Sequence, residues 1–139
     1  MASGGELSRI SLAVQVAAAA KNAAECMVFD EVDAGIGGAV AEIVGRQLRA
    51  LGGRAQVLCV THLAQVASQA HSQLRVSKRS EGAKTRTTIE RLGEAERVEE
   101  IARMLGGIDV TDQARAHAIE MLALAAPAKP KARRSRGAE

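Results

Sequence analysis

Two short, continuous apolar runs constrain this chain more than any other feature. Cys26-Met27-Val28-Phe29 ends in Asp30-Glu31, and Gln56-Val57-Leu58-Cys59-Val60-Thr61 ends at His62. Uninterrupted runs of this length, without polar alternation, predict strands buried on both faces of a parallel sheet. Between them, residues 38–51 have helical spacing, with Val40, Val44, Leu48 and Leu51 in line. Gly52-Gly53 then supplies a helix stop. Strand, helix and strand in that order make a crossover unit, which should be parallel and right-handed. The expected class is therefore α/β, with helices flanking a parallel sheet.

The flanking sequence completes one modest domain. Residues 5–21 read as a helix with Leu7, Ile10, Val14 and Ala17 on its inner face. Leu74 to Lys78 and Thr85 to Ile89 alternate and are rich in Val and Thr, with Glu81-Gly82 between them, which predicts a β-hairpin. A helix over 95–105, with Val98, Ile101, Ala102 and Leu105 inward, should stop at Gly106-Gly107. Thr111 is a candidate N-cap for a last helix to about Ala125. With one Phe and no Tyr or Trp, the core must be filled by Ala, Val, Leu and Ile. Met104 and Met121 sit at helical spacing and read as core filler. His71, His117 and the Arg and Glu residues at 94–103 read as solvated surface. Cys26 and Cys59 lie in apolar runs without metal-ligand spacing and read as reduced core thiols.

Charge divides the chain at residue 126. Residues 127–139 hold five basic side chains, Lys129, Lys131, Arg133, Arg134 and Arg136, against one acid, Glu139. Pro127 and Pro130 among Ala, Lys and Arg predict a disordered tail, either a solubilising segment or one that binds phosphate backbones without sequence preference. Residues 1–126 carry 14 basic and 15 acidic groups, so this part is close to neutral and shows no basic stripe that would mark DNA contact. No apolar run approaches the roughly 20 residues that span a bilayer, and a cytoplasmic protein without membrane partners is expected.

Three segments carry chemistry. Ser3, Gly4, Gly5 and Glu6 stand where a helix begins, and the glycines would let the first-turn N–H groups approach an anion. By itself this segment is equally a plain helix start with Ser3 as its cap. Asp30 and Glu31 end the first strand, at the edge where open α/β sheets bind ligands. Asp30 is suited to hold Mg2+ through water, and Glu31 to orient a water attacking a γ-phosphate. The plain alternative, a solvated acidic loop, accounts poorly for the crowding of acids and glycines from Asp30 through Asp33 to Gly38. His62 follows the second strand, whose end should lie close to Asp30 and Glu31.

Taken in order, these segments resemble the ABC ATPase family, and specifically its SMC-like branch. Ala2-Ser3-Gly4-Gly5-Glu6-Leu7-Ser8-Arg9 is similar to the signature motif, Phe29-Asp30-Glu31 to Walker B, Asp33 to the D-loop and His62 to the switch histidine. Transporter ATPases usually carry Gln where Glu6 stands. The resemblance covers roughly residues 2–123. It implies the C-terminal lobe of a P-loop ATPase head acting in DNA double-strand-break repair and recombination, associated with the nucleoid. The implied catalytic residues are Glu31 and His62, with Asp30 as the metal ligand. Ser3, Gly4, Gly5, Glu6 and Asp33 are the implied nucleotide-binding residues. Implied cofactors are ATP and Mg2+; implied partners are a second head in a homodimer and DNA.

The pattern departs from that family in one respect. No Gly-x-x-x-x-Gly-Lys-Ser/Thr occurs in the sequence, so the phosphate-cradling loop and its lysine are not among these residues. No coiled-coil heptads are present either. A head completed by a separate Walker A and coiled-coil segment is the leading expectation. The alternative is a truncated, non-catalytic fragment or regulatory partner docking on a complete head.

Overall fold

A computed structural model describes residues 25–82 and 84–126, together with Glu6, Ala13, Val14, Gln15, Ala17, Ala18 and Lys21. Of the expected helix over 5–21, every described residue is helical. Val14 and Ala17, expected on its inner face, are exposed, because no described residue packs over them. The tail at 127–139 lies outside the described residues.

Strand β1 (Cys26–Phe29) pairs in parallel with β2 (Gln56–Cys59), Phe29 standing beside Cys59. Helix α1 (Gly38–Gly52) connects them. Strand β2 is two residues shorter than the strand expected over 56–61. The Val60 N–H still donates to the Phe29 carbonyl. Beyond it Thr61 and His62 leave the ladder to bond Asp33.

Helix α1 buries Ala41, Gly45, Leu48 and Leu51. The stripe is shifted from the expected Val40 and Val44, which are only half-buried. Gly45 sits where α1 meets the short helix α2 (Ala64–Ala67): a Cβ there would fall 2.8 Å from Gln69 Cγ and 3.1 Å from the Gln65 carbonyl oxygen. A glycine within a helix costs about 0.5–1 kcal/mol relative to alanine, and here it permits the close approach.

The hairpin is longer than its alternation indicates: β3 (Leu74–Glu81) and β4 (Lys84–Arg91) form eight antiparallel pairs. Helix α3 (Glu94–Gly106) and helix α4 (Asp112–Ala125) then pack on each other. Thr111 caps α4 as expected, its hydroxyl accepting from the Ala114 N–H at 3.1 Å.

There are two apolar cores. One holds Phe29, Val32, Ala41, Leu48, Leu51 and Val66 beneath the parallel pair. The other holds Ala64, Ala67, Ile101, Ala102 and Ala118 between α2, α3 and α4. Helix α2 contributes to both and joins them.

The residues at 94–103 correct their reading as solvated surface. Half-buried Arg97 donates from Nη2 to the carbonyls of Ala67, Ser68 and Ala70. It thereby satisfies the open C-terminal end of α2. Burial, and then the nearby Arg49 charge, push its pKa down. Glu100 is buried and pairs with Arg103, and more distantly with Arg75. The Arg103 hydrogen bond outweighs burial and holds the Glu100 carboxyl below its ordinary range.

The two-sided burial expected for the parallel strands is also corrected. Phe29 is buried, but Val28 is 68% exposed, Leu58 44% and Val60 60%. Helix α1 and α2 cover one face only, and among the described residues nothing covers the other. Cys26, read as a core thiol, is likewise exposed.

Candidate active-site edge

The C-terminal ends of β1 and β2 form one edge, and Asp33 organises it. Past Phe29 the chain turns through Asp30 and Glu31, then dips so that Val32 and Asp33 are buried. The turn is held by hydrogen bonds from the Ala34 N–H to the Glu31 carbonyl and from the Ile36 N–H to the Asp33 carbonyl. Gly35 and Gly38, at φ 72° and 55°, take backbone conformations that side chains oppose, which explains two of the three glycines that follow the acids.

The Asp33 carboxylate faces the end of β2. Its Oδ2 accepts from Thr61 Oγ1 at 2.6 Å and from the His62 N–H at 2.7 Å, and lies 2.8 Å from His62 Nδ1. Burial alone would raise the Asp33 pKa. The bonds from Thr61 and the His62 backbone, then its own backbone N–H and the His62 charge, outweigh burial and hold the carboxyl below its ordinary range. With Nδ1 turned to Asp33, the exposed His62 ring presents Nε2 outward.

Asp30 and Glu31 are both exposed. Asp30 Oδ1 accepts from the Glu31 N–H at 2.9 Å. Glu31 has φ 55°, the only positive φ at a non-glycine among the described residues. Left-handed backbone at a residue of this kind costs on the order of 1–3 kcal/mol and clusters at functional sites. The edge is electronegative. The half-buried Cys59 thiol is pushed up to about 11, first by burial and then by the charges of Asp33 and Asp30. Cys59 is therefore an inert thiol.

No protein-family model matches the chain. Individual proteins do. The DNA repair protein RecN of Xylella fastidiosa (strain 9a5c) is 57% identical over 122 residues, which is 88% of this chain and 22% of that protein. RecN of Haemophilus influenzae is 53% identical over 124 residues, 89% of this chain and 22% of the relative. RecN of Bacillus subtilis is 40% identical over 122 residues, again 88% of this chain and 21% of the relative. This chain belongs to the RecN family. It spans about a fifth of the length of the curated relatives it matches. In three dimensions it is similar to a solved structure described as "Structural biochemistry of ATP-driven dimerization and DNA stimulated activation of SMC ATPases". The TM-score is 0.63 and the identity 19%, over 78% of this chain and 65% of that one. The fold is that of an α/β lobe of an SMC ATPase head.

Within this RecN-family lobe, the structure brings Asp30, Glu31, Asp33 and His62 to one edge. Ser3, Gly4 and Gly5 lie outside the described residues, and Glu6 is helical and exposed. Thr61 is the residue that sequence reasoning missed. A hydroxyl ending an apolar parallel strand, opposite an acidic loop, was the available signal. Among the described residues no three His, Cys, Asp or Glu side chains form a metal cage. A cage is not what Mg2+ requires, since it is commonly held by one or two carboxylates, water and substrate phosphates. The exposed Asp30 carboxylate on an electronegative edge fits that donor set. Among the described residues no helix is long and apolar enough to cross a membrane.

Proposed function

We propose that residues 1–126 are the C-terminal lobe of a RecN-type ATPase head, contributing one part of a composite ATP site used in DNA double-strand-break repair and recombination. Residues 127–139 are a basic tail outside the lobe. Glu31 is the catalytic carboxylate, which orients and polarises the water that attacks the γ-phosphate. His62 reads that phosphate through its outward Nε2. Asp33 acts through the histidine as a positioning residue, fixing its ring orientation. Asp30 would hold Mg2+, which supplies neutralisation of the phosphate charges. Ser3, Gly4, Gly5 and Glu6 contact a nucleotide held by a second, identical head.

The observation that carries this reading is the Asp33 clamp, which ties the loop after β1 to the end of β2. A solvated acidic loop needs no buried carboxylate accepting a threonine hydroxyl and a backbone N–H across two strands. The strained Glu31 backbone supports the same reading. The names of the relatives, and the ATP-driven dimerization and DNA stimulation named for the SMC structure, agree with head pairing and DNA as a partner.

The test is a head assembled from this chain and a segment carrying a Walker A loop, compared with its Glu31→Gln variant. Nucleotide binding should persist while hydrolysis falls by about 100-fold or more, the usual contribution of a general base. Hydrolysis at the unaltered rate would show that another carboxylate does this work.

A further inference from the structure

The near-neutral balance of the lobe hides a segregation of charge. The hairpin, residues 74–91, holds six basic side chains, Arg75, Lys78, Arg79, Lys84, Arg86 and Arg91, against two acids, Glu81 and Glu90. Its net charge is +4. The rest of residues 1–126 carries eight basic and thirteen acidic groups, a net charge of −5. The cations are therefore gathered on one projecting two-stranded ribbon.

Their pairing divides the ribbon into a base and a tip. At the base, Arg75 bonds Glu90 at 2.5 and 2.8 Å, and Arg91 donates to Ser72 Oγ at 3.0 Å. At the tip, the side chains of Lys78, Arg79, Lys84 and Arg86 are exposed and make no hydrogen bond or ion pair with described residues. Arg79 stands directly opposite Arg86 in the ladder, and Lys84 lies on the same face two residues from Arg86. Like charges in directly opposed positions destabilise a hairpin. One acid, Glu81, stands opposite Lys84 at the turn, but folding gains nothing from setting Arg79 against Arg86, whereas a polyanion would turn that repulsion into binding.

We infer that the β3–β4 tip is a docking surface for the phosphate backbone of duplex nucleic acid, read through Arg79, Lys84 and Arg86. This rests on DNA being a partner, as in the reading above, and adds where the contact is made. Charge complementarity is one argument. The second is the hydroxyl lining: Ser77 and Thr88, paired across the ladder, share the face of Arg79, Lys84 and Arg86, and hydroxyls and arginines are common donors to phosphate oxygens. The third is shape, since a two-stranded ribbon fits the major groove of B-DNA. The lack of aromatics argues against single strands, which are gripped by stacking bases on aromatic rings. The chain's one aromatic, Phe29, is buried in the core.

The experiment is anisotropy of a short labelled duplex of mixed sequence, titrated with the full chain from about 50 to 200 mM salt, a range over which phosphate contacts lose much of their affinity. The probe variant is Arg79→Gln/Lys84→Gln/Arg86→Gln. The matched control makes the same charge change at Lys21, Arg46 and Arg54. The probe variant should bind at least about tenfold more weakly at low salt, with a salt slope shallower by about 2 to 3, since each phosphate contact contributes about 0.9. The control should stay within about twofold of the parent. Because the like-charge pair is relieved, the melting temperature of the probe variant should be unchanged or higher, which separates lost binding from lost fold. The Arg79→Lys/Arg86→Lys variant should retain most of the affinity. If the parent binds duplex and the probe variant binds equally well, the hairpin assignment is wrong while DNA as a partner survives. If the parent binds no duplex at any salt, both fail for this chain. Tighter binding to polyglutamate than to duplex would assign the tip to an acidic protein instead.

Discussion

The two β pairs of this chain are built on opposite plans. The parallel pair is short, four residues per strand, and apolar, yet Val28, Leu58 and Val60 remain in solvent. The hairpin has eight residues per strand and is polar, cationic and exposed throughout β4. Exposure costs the two pairs differently. Each Val or Leu side chain left in water forgoes about 1.5–3 kcal/mol of burial. An exposed Lys or Arg forgoes nothing, because its charge is already solvated. The parallel pair thus has an unfilled requirement for apolar cover, and the hairpin tip an unfilled requirement for anions. Among the described residues nothing covers the apolar face, whereas the role proposed for the exposed cations requires no rearrangement of the lobe.

Substitutions on the two faces of β1 should sharpen that contrast most. Phe29→Ala removes the largest side chain of the first core and should destabilise the lobe by about 3–5 kcal/mol in chemical denaturation. Val28→Thr, one residue away on the open face, should change stability by less than about 0.5 kcal/mol and raise solubility. A large loss at Val28 would mean that the face is covered in solution.

The next effect is at Asp33. Asp33→Ala leaves Thr61 and the His62 N–H without their acceptor and should cost about 2–3 kcal/mol. It should also change the acid limb of stability. The folded-state pKa of Asp33 is depressed, so its contribution is complete above the ordinary carboxylate pKa and is lost as pH falls through that value toward the lower, folded one. In urea melts between pH 7 and pH 2, the parent should lose more stability on acidification than Asp33→Ala. Equal losses would show that the clamp is not formed in solution.

A smaller effect, of opposite sign, is expected at Glu31. Glu31→Gly relieves the left-handed backbone and should stabilise the lobe by up to about 1 kcal/mol, read as a rise in melting temperature. The same substitution removes the proposed catalytic carboxylate, so stability and hydrolysis should move in opposite directions in an assembled head.

Much of this was legible in the sequence, unevenly. The parallel pair and its connecting helix followed from two unbroken apolar runs with helical spacing between them, and Thr111 was legible as a cap. Periodicity states which side chains are apolar, however, and not what covers them, so the open face of Val28, Leu58 and Val60 was invisible to it. Arg97 and Glu100 looked like solvated helix residues because polarity predicts exposure; the carbonyls at the end of α2 that capture Arg97 come from a segment 27 to 30 residues away. The acidic edge was found from its residue types, whereas Thr61 was not, since its role appears only when the parallel register sets it beside the loop that holds Asp33. The charge of the hairpin tip was likewise present in the sequence but averaged away over 126 residues. Strand register was required to set Arg79 against Arg86.

In the proposed head these residues are one part of a phosphate site and not the whole of one. A helix N-terminus contributes on the order of 1 kcal/mol to a bound anion, against the roughly 8 kcal/mol of a micromolar site. The edge of Asp30, Glu31 and Asp33 is itself electronegative. Calorimetric titration with Mg-ATP, of the purified chain and of the chain joined to a Walker A segment, tests this directly. The chain alone should show no binding heat, and the joined protein should bind and turn over ATP. Tight binding of Mg-ATP by residues 1–139 alone would contradict the composite site.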